Sequence, residues 1–189
     1  MASSETVEAD QRILDAVLVV LARNGIAGVS MRAVSREAGV ALGLASYHFE
    51  TKDRLIAAAL RRIGDQDAAL VAPIAGVDPV DRLKEALRHV ADPEFLRTDY
   101  LGLRLQLWSL AGVDAEFAEI NRRAQLRYRA GLADLIAAAR PKLNNAEVQR
   151  RAGDILVIQN GIWLTSILII DRESVERGIE TCESIALDP

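Results

Sequence analysis

Cysteine is almost missing from this sequence, and Cys182 stands alone. A single cysteine can close no intrachain disulfide, so a reducing, cytoplasmic setting is expected. Histidine is nearly as scarce, with only His48 and His89. Two histidines and one cysteine make no ligand cluster, and neither a metal ion nor another cofactor is expected. There is no Ser-His-Asp or Cys-His arrangement and no glycine-rich phosphate loop, which argues against an enzyme with a helical active site. Long hydrophobic runs are absent too. The longest apolar stretches, residues 16–22 and 161–170, fall short of the roughly 18 residues that a membrane span needs. The opening MASSETVEAD is acidic and polar, unlike a secretory signal. No stretch alternates apolar and polar residues as a half-buried strand does, and nothing repeats.

What is present is helical periodicity, nearly end to end. Of the 189 residues, 50% are hydrophobic and 26% charged, which is ordinary for a globular protein and enough for a core without staples. An all-α fold of about nine helices is expected. A first helix over 7–23 places Ile13, Ala16, Val17, Val20 and Leu21 on one face, and Asn24-Gly25 ends it. Ser30 is a cap residue for the next helix, whose Met31, Val34 and Ala38 point inward while Arg32, Ser35 and Arg36 point out. Later start signals are Asp78-Pro79 and Asp92-Pro93, expected to open helices over 79–90 and 93–111. A long helix over 114–140 stops at Pro141. Asn144 with Glu147 resembles a capping box and opens a helix to about residue 170, after which Asp171 or Glu173 starts the last.

The informative stretch is 30–55. Gly39 breaks a short amphipathic helix, and a second short helix follows over 42–49, within GVALGLASYHFETKDRL. Two short helices joined by a glycine turn form a helix-turn-helix. The net charge of −4 excludes a generic nucleic-acid coat but not a specific reader, for which charge on one face counts. Over 30–54 the bases Arg32, Arg36, Lys52 and Arg54 exceed the acids Glu37, Glu50 and Asp53 by only one. The motif therefore carries the argument, and the charge does not.

Residues 7–63 resemble the DNA-binding domain of the TetR family of one-component regulators. The resemblance rests on the amphipathic first helix, Ser30-Met31-Arg32-Ala33-Val34, Ala38-Gly39-Val40 at the turn, Gly43, Tyr47-His48-Phe49, and Lys52 followed by Leu55. It implies a three-helix DNA-binding domain over 7–65 and a helical ligand-binding and dimerisation domain over 66–189. It also implies DNA contacts at Ser30, Arg32, Ala41, Leu42, Gly43, Ser46, Tyr47, His48 and Lys52. A hydroxyl at a helix N-terminus suits phosphate, a glycine lets the backbone approach the groove, and a lysine clamps phosphate. For His48 the alternative is a satisfied helix-end residue, and for Phe49 a place in the core. Three positions depart from the family pattern. Ala41 leaves the recognition helix without a side-chain cap, Leu42 replaces a polar or basic residue, and Ser46 a tyrosine.

Six of the eight aromatic residues lie after residue 90. Polar residues interrupt apolar stripes there: Arg104 beside Trp108, Asn121 with Phe117 and Tyr128, and Asn160 with Trp163. A buried polar group needs a partner, and pockets combine apolar walls with a few polar groups. These seven residues are the candidate effector contacts, against the plainer reading that they are core. Ile155, Ile158, Ile162 and Ile169, with Val175, Ile179 and Cys182, form apolar stripes on the last two helices. They are expected to build a four-helix dimer interface, or else to close the protomer core. The resulting expectation is a homodimeric, effector-responsive repressor of a palindromic DNA operator. The alternative is a helical interaction or sensor module that has lost DNA binding.

Overall fold

The computed structural model of the chain describes residues 2–169 and 171–189, with side chains described from residue 8 on. Among the described residues there are nine α-helices and no strand. They are α1 (Ala2–Gly28), α2 (Met31–Ala38), α3 (Leu42–Phe49), α4 (Lys52–Leu70), α5 (Pro79–Arg88), α6 (Thr98–Leu110), α7 (Ala115–Ala139), α8 (Asn145–Ser166) and α9 (Arg172–Leu187). A single 3-10 turn, His89–Ala91, follows α5. None of these helices is long and apolar enough to cross a membrane.

The chain forms two compact units. The first comprises Met1–Ile63 with Gly102–Asn121, and the second Gly64–Leu101 with Arg122–Pro189. In the first, the expected stripe of α1 is buried throughout, and it packs with Val34, Ala45, Leu55, Ile56, Leu107 and Phe117. Each large aliphatic side chain buried this way contributes about 1.5–3 kcal/mol relative to exposure. At Gly25 the helical path of α1 breaks, with φ 67° and ψ −179°, a conformation that favours glycine. The helical turn beyond it is tied down by side chains: Gln106 accepts from the Ile26 N–H at 3.1 Å, and Lys52 Nζ donates to the Ile26 carbonyl at 2.7 Å.

The core of the second unit joins Leu83, Leu87, Tyr128, Leu132, Ile136, Ile155 and Cys182, among others. Burial pushes the Cys182 thiol up to about 12, because a thiolate there would lose its hydration. Two buried arginines serve helix ends, whose last carbonyls lack intrahelical donors. Arg82 donates to the carbonyls of Leu70 and Ala72, at 2.6 and 2.9 Å, where α4 finishes. Arg151 donates to those of Ile185 and Asp188, at 3.0 and 2.7 Å, where α9 finishes.

Caps set most boundaries where the sequence placed them. Ser30, Asp78, Asn144 and Asp171 each accept from an amide of the first turn. Two expectations need correction. Asp92-Pro93 opens only a turn, and α6 starts at Thr98. The Asp92 carboxylate faces back to the His89 ring, at 2.5 Å, instead of forward to the amides it would cap. The Asn144–Glu147 box is half formed. Asn144 accepts from the Glu147 N–H, but the Glu147 carboxylate turns to Arg150 and Arg151. Those two guanidinium groups hold it well below the usual range, at about 2. The expected end of this helix near residue 170 lies outside the described residues; the helix is seen to finish at Ser166.

Candidate nucleic-acid interface and effector site

The helix-turn-helix is built from local chemistry. Ser30 accepts from the Ala33 N–H at 3.1 Å and so caps α2. Gly39 ends α2 with φ 64° and ψ 34°, and the next amide, Val40 N–H, returns to the Ser35 carbonyl at 3.0 Å. Ser35, expected to point outward, is buried, and its hydroxyl donates to the Met31 carbonyl at 2.7 Å. α3 starts at Ala41 without a side-chain cap, as its sequence implies.

α3 hides little. Ala45 is its one buried residue, with Phe49 packed partly against the core. Ala41, Leu42, Gly43 and Leu44 are exposed, and Tyr47 is 81% exposed. Gly43 is informative because the fold does not need it. Its φ is not positive, and a Cβ added there would meet no atom within 4 Å. Glycine inside a helix costs about 0.5–1 kcal/mol relative to alanine, so a bare backbone at this exposed place suits close approach by another molecule.

Charge on this face is more favourable than the net balance suggests. Glu37 is paired with Arg23 at 3.2 Å, and Glu50 with Arg54 at 2.9 Å. Arg32 and Arg36 are exposed and have no ion-pair partner among the described residues. Arg36 and Leu44 were not among the sequence-derived candidates, although both lie on the exposed side of the motif.

Two candidates differ from expectation. His48 turns inward, with its side chain only 11% exposed and Nδ1 2.8 Å from Asp10 Oδ1, an electrostatic contact not aligned as a hydrogen bond. It is a helix-end histidine turned towards Asp10 and not a surface group. Lys52 spends one of its three N–H donors on Ile26, so part of its role is to hold the end of α1. Ser46 is half-buried, and Ser30 and Arg32 are exposed.

One feature of the loop gave no sequence signal. Glu50 is the only non-glycine residue with positive φ among the described residues, at φ 55° and ψ −52°. Around it the Thr51 N–H donates to the Phe49 carbonyl at 2.5 Å, closing a three-residue γ-turn. Such backbone strain stores about 1–3 kcal/mol and often marks functional segments. Here it sets the exit from α3.

The seven effector candidates fall in both units. In the first, Phe117 is part of the apolar core, and Asn121 donates to the Phe117 carbonyl at 3.0 Å, so both are accounted for by the protein itself. The buried Arg104 lies over the Trp108 ring at 5.6 Å. In the second unit the Tyr128 hydroxyl donates to Gln159 Oε1 at 3.0 Å, Asn160 to Gln125 at 3.1 Å, and the Trp163 indole to the Val90 carbonyl at 3.1 Å. Gln159, which the stripe pattern did not single out, is 1% exposed, and its Nε2 has no hydrogen-bond partner. An unmet buried donor costs about 1–3 kcal/mol.

Residues 13–59 match the N-terminal domain of the bacterial regulatory proteins of the tetR family, and residues 79–187 match the C-terminal domain of BetI-type transcriptional repressors. The chain belongs to the TetR family. It is a DNA-binding transcriptional regulator whose second half is of the BetI type. The HTH-type transcriptional regulator BetI of Paraburkholderia xenovorans is 24% identical over 83% of this chain and 80% of its own length. A transcriptional regulator from a Rhodococcus species superposes with a TM-score of 0.75 at 26% identity, over 94% of this chain and 95% of that one. The multidrug-binding protein EbrR, solved with ethidium, gives a TM-score of 0.68 at 29% identity, covering 94% and 98%.

In this TetR-family chain the residues expected at a dimer interface are mostly core. Ile155, Ile162, Val175, Ile179 and Cys182 are buried within the protomer, and Ile158 packs partly against the same core. A side chain already buried has no area left for a partner. Of the seven, Ile169 alone is exposed, at 71%. The unpartnered apolar residues of α8 are on its opposite face: Val157, Leu164 and, just past the helix end, Leu168, 71%, 49% and 83% exposed. With Gly161, half-buried, they follow i, i+4, i+7, i+11, one side of a helix. From sequence the interface is expected on the inner stripe, and Val157, Leu164 and Leu168 are not singled out.

Proposed function

We propose that this regulator is a cytoplasmic homodimeric repressor, without enzymatic activity, that leaves a palindromic operator when a small molecule binds its second unit. The observation that carries the DNA half is α3, a helix with one buried residue whose exposed side presents Leu42, Gly43, Leu44 and Tyr47. Ser30, Arg32 and the remaining donors of Lys52 would hold phosphate, joined by Arg36, while Ala41, Leu42, Gly43, Ser46 and Tyr47 face base edges. Phosphate contacts fix the register and base-edge contacts give the sequence preference. His48 is left out of this set, because it faces Asp10.

Two recognition helices in successive major grooves need a two-fold assembly with half-sites about 34 Å apart. The outer stripe of α8, Val157, Leu164, Leu168 and Ile169, supports a second copy as its cover, since exposed apolar stripes of this kind mark association surfaces. α4 is the natural lever for release. It is one unbroken helix whose residues to Ile63 belong to the first unit and from Gly64 to the second. A differential affinity of about 1–3 kcal/mol between two states would make a useful switch. That EbrR, a multidrug-binding protein, was solved with ethidium supports a small molecule as effector.

The experiment is selection of bound duplexes from a random pool at defined salt, with molar mass measured on the same protein. An enriched palindrome and a dimeric mass are expected. A monomer that enriches nothing, even at low salt, would overturn the proposal.

A further inference from the structure

We infer that Gln159 selects the effector, and that the effector is an uncharged, largely apolar molecule bearing a carbonyl or similar hydrogen-bond acceptor. The inference rests on the proposed effector-responsive function and gives that site its chemistry.

Gln159 lies on the inner face of α8, 1% exposed, one turn from Ile155 and from Ile162 and Trp163, all buried. Its Oε1 is occupied by the Tyr128 hydroxyl at 3.0 Å. Its Nε2 carries two N–H donors, and neither finds an acceptor in the protein. Of the neighbouring donors, the Trp163 indole is given to Val90 and one N–H of the Asn160 amide to Gln125. The Gln159 amide is therefore a fully buried donor that the inner face of α8 leaves unmet and can offer to an incoming molecule. Native proteins leave few such groups unmet, and each one asks for a partner.

Charge narrows the class. The buried arginines of this unit, Arg82 and Arg151, give their guanidinium groups to helix-end carbonyls and to Glu85 and Glu147. Its one buried acid, Asp67, is engaged as well. These buried charges are already engaged and are not left to neutralise an ion, and an ammonium would set donor against donor. An apolar body with one acceptor fits these surroundings, the buried Ile155, Ile162 and Trp163 beside one unmet amide.

The test uses the full-length protein and two matched pairs of probes, acetophenone with ethylbenzene and 2-acetonaphthone with 2-ethylnaphthalene. Each pair differs by a carbonyl in place of a methylene. Calorimetric titration should show the wild type favouring each ketone by about tenfold, the size of one directed hydrogen bond. In Gln159→Met that preference should fall to about twofold or less, with the hydrocarbon affinity kept. The carbonyl stretch of the bound ketone should shift to lower wavenumber in the wild type only. If Gln159→Met fails to fold because it strands the Tyr128 hydroxyl, the double variant Tyr128→Phe with Gln159→Met removes both polar ends together. Equal ketone preference in wild type and variant would overturn the inference. So would an absence of saturable binding by either ketone, which would leave Gln159 to a structural water. Operator selection on the unliganded protein is scored separately. Its failure would remove the regulator proposal, whereas the ketone titration bears on Gln159 alone.

Discussion

Helices α3 and α8 differ most in what they hide. α3 has eight residues, one of them buried, and an uncapped start. α8 has 22 residues, a capped start and a fully buried inner face running from Val148 to Ser166. A helix as short as α3 is marginal in water, so its place is set by its ends and its one inward side, and the rest is free to meet another molecule. α8 is held by its core, and only its outer stripe is left over. The largest effect expected from this contrast lies within α8. Ile155→Ala should cost about 2–5 kcal/mol of stability by opening a cavity, without changing molar mass at temperatures where the protein stays folded. Leu164→Glu should leave the fold intact yet shift the dimer towards monomer, seen by sedimentation. If the two variants exchanged signatures, the assignment of inner and outer faces would be reversed.

The same contrast predicts that α3 can be altered at little cost to the fold. Tyr47→Ala should change stability by no more than about 0.5 kcal/mol, as surface substitutions do. It should still weaken operator binding by about tenfold, one side chain's share of a specific site. Gly43→Ala sharpens the point, because it should stabilise α3 by about 0.5–1 kcal/mol while also weakening the operator complex. Thermal melts and a salt-controlled operator titration would check both. Gains in stability and in binding together would mean that no partner approaches the backbone at Gly43.

How much could be read from sequence follows the same division. The first unit is specified by punctuation at fixed spacing: Ser30 capping α2, Gly39 in its left-handed turn, and Thr51 accepting from the Arg54 amide at the start of α4. Such signals are local, so they can be read without knowing what packs where. What failed there was the direction of single side chains. In sequence His48 reads equally as a DNA contact or a helix-end residue and Lys52 as a phosphate clamp, but Asp10 and the Ile26 carbonyl, 38 and 26 residues away, draw them inward. The second unit hid more. α8 is apolar on two sides, and periodicity alone cannot say which side meets the core. Gln159 also interrupts an apolar stripe, beside Ile155 and Ile162, but that stripe reads in sequence as an interface and not as a pocket wall. Asp92-Pro93 misled because the acid that should cap a helix is drawn back to His89.

A smaller effect concerns the turn that closes α3. Glu50→Gly should stabilise the first unit by about 1 kcal/mol by relieving the positive φ, as a melt would report. Operator affinity measured in parallel decides what the strain is for. A more stable protein with weakened binding would mean that the strained turn aims the recognition helix. Unchanged binding would make it a local cost of joining α3 to α4.

The smallest effect separates fastening by charge from fastening by burial at the start of α8. Glu147 accepts from Arg150 and Arg151, which hold its carboxyl at about 2 against an ordinary 4.5. A carboxyl depressed on folding stabilises the native state above its unfolded pKa and loses that contribution as pH falls towards its folded pKa. The relevant window therefore runs from about pH 4.5 down to about 2. Glu147 is half-buried and still in contact with solvent, which screens it, so its share of the acid sensitivity is modest. Glu147→Gln should make the melting temperature fall less steeply across that window while leaving it nearly unchanged at neutral pH. Arg151 would still hold the carbonyls of Ile185 and Asp188, and Asn144 would still cap the helix. Parallel pH profiles for the two proteins would show that burial alone fastens this end of α8. A large loss at neutral pH would show the reverse, that the charge cluster holds the helix in place.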